Sequence, residues 1–416
     1  LAAVAATALV FGYRTKVALF ASWLLLLSLH GRFPLLTQGG DALLRCMLLW
    51  SLFLPLEGRR KVERSSAGPT VASFGSVAFI LQLSVMYFFS ALLKTGVAWR
   101  SDFSATYYAL SIDHFTSELG YLLLEYPRLL QALTVAAMLL ESVGPLLLLI
   151  PCCPTWVRLA VPLSFIGFHL GLAATMDLGT FPWICIMFWC VLLPPRAWDA
   201  LEHGIVVARE CFGIAVGRTS RPVAEGPGGP SCKVNVIGSF ASNLIAAFLI
   251  SYVVLMNVNR LVHPRAPVGA PPLSYLGQVL GLDQYWNMFS PEPYRYGGWL
   301  RIEGETAAGR EVNLYRPDEP LHDAKPANVS ATYPTQYWRR CLVTMYEFQE
   351  RAHIEGGLRY FARHWNQTHT FNEQVVAARL VHMIEHTPPP ADNRRPRTVE
   401  RKVLGELRFD ATSPAP

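Results

Sequence analysis

Long apolar runs separated by short arginine-bearing loops fill the first 256 residues, and they limit this chain to folds that lipid can surround. A crossing segment needs about 20 apolar residues. Runs at 1–12, 16–30, 41–55, 71–94, 129–150, 157–174, 181–194 and 234–256 predict about eight spans, the first one clipped. Lipid offers the backbone no hydrogen bonds, so the expected fold is a polytopic α-helical membrane bundle. Only 16% of residues are charged, against roughly 25% in an average soluble chain. The net charge of +6 follows the loops between apolar runs, so the expected partner is the lipid bilayer and not nucleic acid. A membrane or extracytoplasmic protein is a further candidate partner.

Basic residues set an expected orientation. Arg14, Lys16, Arg59, Arg60, Lys61, Arg64, Arg158, Arg196, Arg209, Arg218, Arg221 and Lys233 fall on one side of the proposed spans. Arg32, Lys94, Arg100 and Arg128 fall on the other. The richer side is expected to be cytoplasmic. The chain then divides into a bundle at 1–194, a cytoplasmic amphipathic segment and linker at 195–233, a last span at 234–256, and an extracytoplasmic α+β domain at 257–416. The run at 1–12 reads as the end of a helix begun upstream.

Within the last domain, Gly298–Thr306 and Glu311–Arg316 alternate as strands around the turn "AAGR". Val375–Glu385 and Thr398–Leu407 predict two more strands. Residues 333–365 predict two aromatic-rich helices broken at Gly356-Gly357. Cys341 is the domain's one cysteine, so no internal disulfide staples it. Its histidines have no metal-ligand spacing, and no metal site is expected.

Several costly side chains sit within or at the ends of the apolar runs. His30 closes the second run, Asp41 and Arg45 open the third, and Lys94 closes the fourth. Glu141 lies near the middle of the fifth, and His169 lies in the sixth. Tyr87, Ser90 and Lys94 share one helix face by their i, i+3, i+7 spacing. An ionisable group inside a membrane is a functional candidate that normally faces the bundle interior with a partner. Two readings stand for Lys94: a helix-end lysine snorkelling to headgroups, or a base. In an apolar pocket a lysine loses the stabilisation of its charge, and a neutral amine becomes accessible for proton abstraction. His169 reads equally as a proton relay or as a buried structural histidine. His30 and Asp41 read as caps or solvated ends, and Glu141 and Arg45 as helix-joining ion pairs.

The segments "YFFSALLKTGVAW", "FHLGLAATMDLGTF", "MLLESVGPLLLL" and "YWNMFSPEPYRYGGWLRIEGETAAGREVNLYRP" together resemble the vitamin K-dependent γ-carboxylase family and its bacterial relatives, the HTTM (horizontally transferred transmembrane) proteins. The resemblance spans most of the chain, with Lys94, His169 and Trp286-Asn287-Met288-Phe289 as anchors. It implies that Lys94 is a base acting on a quinone or hydroquinone-type lipid, and that His169 is a catalytic-site residue. Tyr87, Asp41, Arg45, Glu141 and His30 would then support the pocket. Where the carboxylases carry an Asn-Asn-His-type opening to the third span, this chain reads "TQGGDALLR", closer to the bacterial branch. Two alternatives accompany an enzyme. One is a non-catalytic membrane partner or immunity-type protein in which Lys94 and His169 only join helices. The other is a lipid or solute carrier, disfavoured because paired broken helices and an internal repeat are not evident. An enzyme predicts a closed pocket holding Lys94 and His169 within about 10 Å of each other, with an apolar opening toward lipid; a scaffold predicts Lys94 facing headgroups, or saturated by an acidic neighbour with no cavity beside it.

Overall fold

The structure is a computed structural model that describes residues 1–54, 56, 71–150, 153–211, 235–236, 240–263, 273–392 and 397–409. The first half is helical: α1 (Ala2–Val10), α2 (Thr15–Arg32), α3 (Gly39–Leu52), α4 (Phe74–Leu93), α5 (Pro127–Leu148), α6 (Thr155–Thr175), α7 (Phe181–Val191), α8 (Pro195–Cys211) and α9 (Phe240–Val262). Three short helices at Val97–Arg100, Ala105–Leu110 and Glu118–Leu123 fill the connection from α4 to α5.

Helices occur at all eight expected places, but fewer qualify as spans. Among the described residues, α4, α5, α6 and α9 are long and apolar enough to cross a membrane. The bent pair formed by α7 and Pro195–Ile205, turning through 103°, makes up to five. The shortfall has local causes. A capping box between Gln38 and Asp41 fixes the start of α3. The 14 residues of α3 then reach about 21 Å, less than the roughly 30 Å of a hydrocarbon core. α7 stops after 11 residues, where Pro194 and Pro195 deny the helix its N–H groups. The amphipathic segment is helical over α8, while the Pro/Gly linker expected after it lies outside the described residues.

α4 is the central element. Ser73 caps it, accepting from the Ser76 amide at 3.1 Å while the Ser73 amide donates to Ser76 Oγ at 2.9 Å. It packs against α3, α5 and α9, and its buried residues Leu83, Met86 and Tyr87 join Met47, Trp50, Phe165, Trp189 and Val253 in one core.

The second half carries a four-stranded antiparallel sheet of β1 (Tyr296–Thr306), β2 (Glu311–Asn313), β3 (Val375–His386) and β4 (Val399–Arg408), in the order β2-β1-β3-β4. Helix α10 (Leu273–Leu280) precedes it, and α11 (Gln336–Phe348) and α12 (Arg351–Asn366) supply its apolar cover. The two helices break at Gln349, not at Gly356-Gly357. Gln349 adopts a left-handed φ of 49° and its amide caps the Met345 carbonyl. Gly357 lies inside α12, where a Cβ would strike the Met345 thioether, so glycine there permits close helix packing.

The chain between α10 and β1 is lodged in the bundle. Leu282 and Trp286 are fully buried in the membrane core. A closed polar network holds them there. Trp50 Nε1 donates to Gln82 Oε1 at 3.2 Å, Gln82 Nε2 to Gln284 Oε1 at 2.6 Å, and Trp286 Nε1 to the same oxygen at 2.6 Å. The sheet domain is bolted to the inter-helix loops by further charged contacts. Asp113, wholly buried, accepts from the Gly298 amide at 2.8 Å and from Lys325 Nζ at 2.7 Å. Arg339 of α11 pairs with Asp177 beyond α6.

Candidate functional site

Lys94 is the C-terminal cap of α4, and its side chain turns inward to donate to Glu141 Oε2 on α5. Both are withdrawn from solvent, at 3% and 4% exposure. The ammonium also lies 4.5 Å from the centroid of the Trp99 ring. The helix end is tightened by Arg100, whose Nε donates to the Lys94 carbonyl at 2.8 Å. Pro145 stands four residues after Glu141 within α5. Its ring nitrogen has no hydrogen to give the Glu141 carbonyl, which loosens that turn of the helix.

The aromatic tail segment roofs this site. Trp99 Nε1 donates to the Phe289 carbonyl at 2.9 Å, and the Gly96 amide to the Pro291 carbonyl at 3.1 Å. Glu292 Oε1 accepts from the Ala98 amide at 3.1 Å. Gly96 makes this contact feasible, because any Cβ there would occupy the place of the Glu292 side chain.

About two turns below Lys94, Tyr87 is the hub of a second group. Its hydroxyl lies 2.6 Å from His169 Nε2 on α6 and accepts from Trp189 Nε1 on α7 at 2.9 Å. Phe165 stacks on Trp189 at 4.1 Å, and Phe181 meets His169 edge-on at 5.7 Å. His169 Nδ1 and Ser90 Oγ are buried and have no hydrogen-bond partner among the described residues. Four helices thus converge on one apolar region with a carboxylate, an ammonium, a phenol and an imidazole.

His30, Asp41 and Arg45 form a separate group. Arg45 Nη1 donates to His30 Nδ1 at 3.4 Å, and His30 Nε2 lies 3.9 Å from Asp41. Arg45 Nε donates to the Gly281 carbonyl at 3.0 Å. This group fastens α2, α3 and the turn after α10; it does not join Lys94. A cleft lined by Trp299, Arg301, Tyr315 and Arg316 lies on the sheet domain and includes none of the expected site residues.

Sequence reading overlooked Trp99 as the ring over Lys94, although the tryptophan stood in the quoted motif. It also gave no weight to Trp189, Gln82 or Gln284, whose polar atoms matter only once their partners from distant segments are in place. At the domain junction His114 lies against Tyr346, which stacks on His382 at 4.5 Å. Burial, with Arg339, His382 and Arg340 adding to it, lowers the His114 pKa to about 3. Burial and then Lys402 lower that of His382 to about 4.

Residues 54–198 match the HTTM domain. No curated protein and no solved structure matches the chain. Lys94, Glu141, Tyr87, His169 and Trp189 all fall inside the matched residues, whereas His30, Asp41 and Arg45 fall before them. The convergence described above is therefore a feature of this region, an HTTM-like segment within a chain that carries helices long and apolar enough to cross a membrane.

Proposed function

We propose that the bundle is a proton-transfer enzyme related to the carboxylase-like HTTM proteins, acting on a hydroxyl-bearing reactant dissolved in the membrane. The observation that carries this reading is the sealed Lys94–Glu141 pair. A lysine salt-bridged to a carboxylate is not a free amine, so the pair acts as one base. Glu141 accepts the proton of the reactant's hydroxyl, and the Lys94 ammonium turns from the carboxylate to the oxygen left behind. Charge is conserved at every point, and the new negative oxygen inherits the counter-ion that Glu141 gives up. Desolvation strengthens this exchange, because no water competes for the ammonium.

A hydroquinone-type lipid fits the neighbouring residues. The rings of Tyr87, Phe165, Phe181 and Trp189 offer flat apolar surface, and His169 Nδ1 and Ser90 Oγ offer unspent polar atoms. When bound, such a group supplies an acidic hydroxyl and redox chemistry. Basic-residue bias supports an extracytoplasmic placement of the sheet domain and of the Lys94 end of α4.

The same pair supports a second reading, because saturation of Lys94 by Glu141 is also what a helix-joining role requires. The deciding experiment follows turnover of added naphthohydroquinone by purified wild type and by the charge-free pair Lys94→Met/Glu141→Leu. An enzyme loses turnover of added naphthohydroquinone in the double variant while remaining folded. Unchanged hydroquinone handling by the double variant rejects the base.

A further inference from the structure

Helix α10 ends in a way that turns the chain inward. Gly281, at a left-handed φ of 65°, donates its amide to the Gln278 carbonyl at 3.2 Å, and the Leu282 amide donates to the Gly277 carbonyl at 2.8 Å. This paired stop is the one glycine permits at a helix end, and it sends Leu282 directly into the bundle core. Gly277 lies against the Tyr252 hydroxyl of α9, and Gly281 lies against Arg45 of α3 and Leu27 of α2, each where a Cβ would collide. Tyr252 in turn donates to Asp283 Oδ1 at 3.1 Å.

These contacts fix the depth of α10. Tyr252 stands ten residues before the end of α9, about 15 Å below it. Arg45 stands six residues into α3, about 9 Å below its start. Leu27 stands five residues before the end of α2, about 8 Å below it. The Cα–Cβ bonds of Tyr252 and Leu27 tilt toward their helix N-termini, further from the sheet domain. The 23 residues of α9 reach about 34 Å, little more than the roughly 30 Å of a hydrocarbon core. A helix touching Tyr252 therefore stands beside the bundle, within the thickness of lipid.

The other side of α10 has the matching chemistry. Tyr275 and Val279, one turn apart, are 61% and 67% exposed, and Gln278 lies between them. None of the eight residues of α10 is charged. Helix α12 of the sheet domain, by contrast, turns Arg351, Arg359 and Arg363 outward.

We infer that α10 is sunk in the lipid leaflet beneath the sheet domain, with Tyr275 and Val279 against acyl chains. Eight residues reach about 12 Å, so α10 is a foot in one leaflet and not a crossing. Lipid is the partner because the exposed face continues a surface that already meets lipid. Leu255, Val258 and Val262 of α9, and Leu24 and Leu29 of α2, turn outward on the helices that α10 touches, and α9 is long and apolar enough to cross. A helix tolerates that setting because it satisfies its own backbone. The foot leads straight into Trp286, so the leaflet itself helps to hold the segment that closes the bundle.

The test uses the full chain in nanodiscs of phosphatidylcholine, part of it bearing a diazirine on the acyl chain. After illumination, peptides covering 273–282 should carry lipid adducts, as should peptides of α5 containing the outward Leu139, while those of α12 should not. Hydroxyl-radical labelling of the same discs should modify Tyr275 at least about fivefold more slowly than Tyr360 of α12. Within the protein Tyr275 is the more exposed of the two, 61% against 52%, so only an outside partner can reverse their order. Neither measurement needs a variant to fold. Val279→Asp puts a charge on the outward face, and should lower adducts on 273–282 about fivefold with those on α5 unchanged. Labelling of Tyr275 as fast as Tyr360 would place the face in water and overturn the inference. Slow labelling without lipid adducts would assign the face to a protein, a second copy included, and would overturn it as well, as would adducts that Val279→Asp leaves unaltered.

Discussion

Lys94 at the end of α4 and Glu141 in the middle of α5 form an ion pair across 47 residues of sequence, with both side chains sealed from solvent. Removing one partner leaves an uncompensated buried charge. Lys94→Met or Glu141→Leu alone is expected to cost about 3–5 kcal/mol. The double variant should recover most of that loss, because two apolar side chains need no counter-charge. Thermal unfolding of the four proteins in one detergent completes the cycle; additive losses would show that the pair is not coupled.

Trp99 links the roof segment to the ammonium beneath it. Trp99→Phe keeps an aromatic face over Lys94 but loses the donor to the Phe289 carbonyl, at about 1 kcal/mol. Trp99→Leu removes the face as well and should cost about 1–2 kcal/mol more. The order of the two melting temperatures is the measurement, and equal values would remove the cation–π contact from the account.

Gln284 joins the two halves of the chain. Gln284→Leu strands the indole of Trp286 and the amide of Gln82 in the core, at about 1–3 kcal/mol for each orphaned group. Limited proteolysis should then cut between bundle and sheet domain sooner than in wild type. An unchanged digestion pattern would assign the junction's strength to Asp113–Lys325 and Arg339–Asp177 instead.

The junction should also weaken in mild acid. His114 and His382 are neutral when docked, with pKa values lowered to about 3 and about 4. Exposed imidazole titrates at about 6.5. The undocked state therefore binds more protons below that value. The contribution of these rings to docking is complete above about pH 6.5 and declines as pH falls toward the docked values. Between pH 7.5 and pH 5 the loss should approach about 2 kcal/mol per ring. Melting curves of wild type and His382→Asn across that interval check the sign; a protein more stable at pH 5 would reverse it.

The proposed direction in which the chain threads the membrane rests on the bias of its basic loops. Thr398→Cys, at an exposed position beside β4, in a Cys341→Ser background, should react with an impermeant maleimide in intact cells. Reaction only after lysis would invert the orientation.

Apolar runs were enough to locate α1 to α7 and α9, and alternation was enough to find β1, β3 and β4 within a residue or two, whereas α10 and the three short helices between α4 and α5 were not foreseen. Spanning capacity was less legible, because the Gln38–Asp41 capping box and the Pro194-Pro195 stop act at single positions inside runs that look continuous. Lys94, Glu141, Tyr87 and His169 stood out singly, since each is expensive in an apolar run. Their pairing did not, because helix tilt and the turn loosened by Pro145 decide which depths coincide. Arg45 and Asp41 carried the same kind of signal yet belong to another junction. The polar links from Gln82 to Gln284 and from Asp113 to Lys325 left no trace in local sequence, as each needs a partner more than 200 residues away.

Trp286 and Leu282 complete the interior of a bundle whose last crossing helix ended some twenty residues earlier. Exchange of parts between proteins of this kind must respect that keystone. A hybrid joined immediately after α9 would inherit a hollow where the indole belongs and an unanswered pair of amides beneath it. Joined beyond Glu292, the same hybrid would carry its own roof, and the membrane half would travel whole.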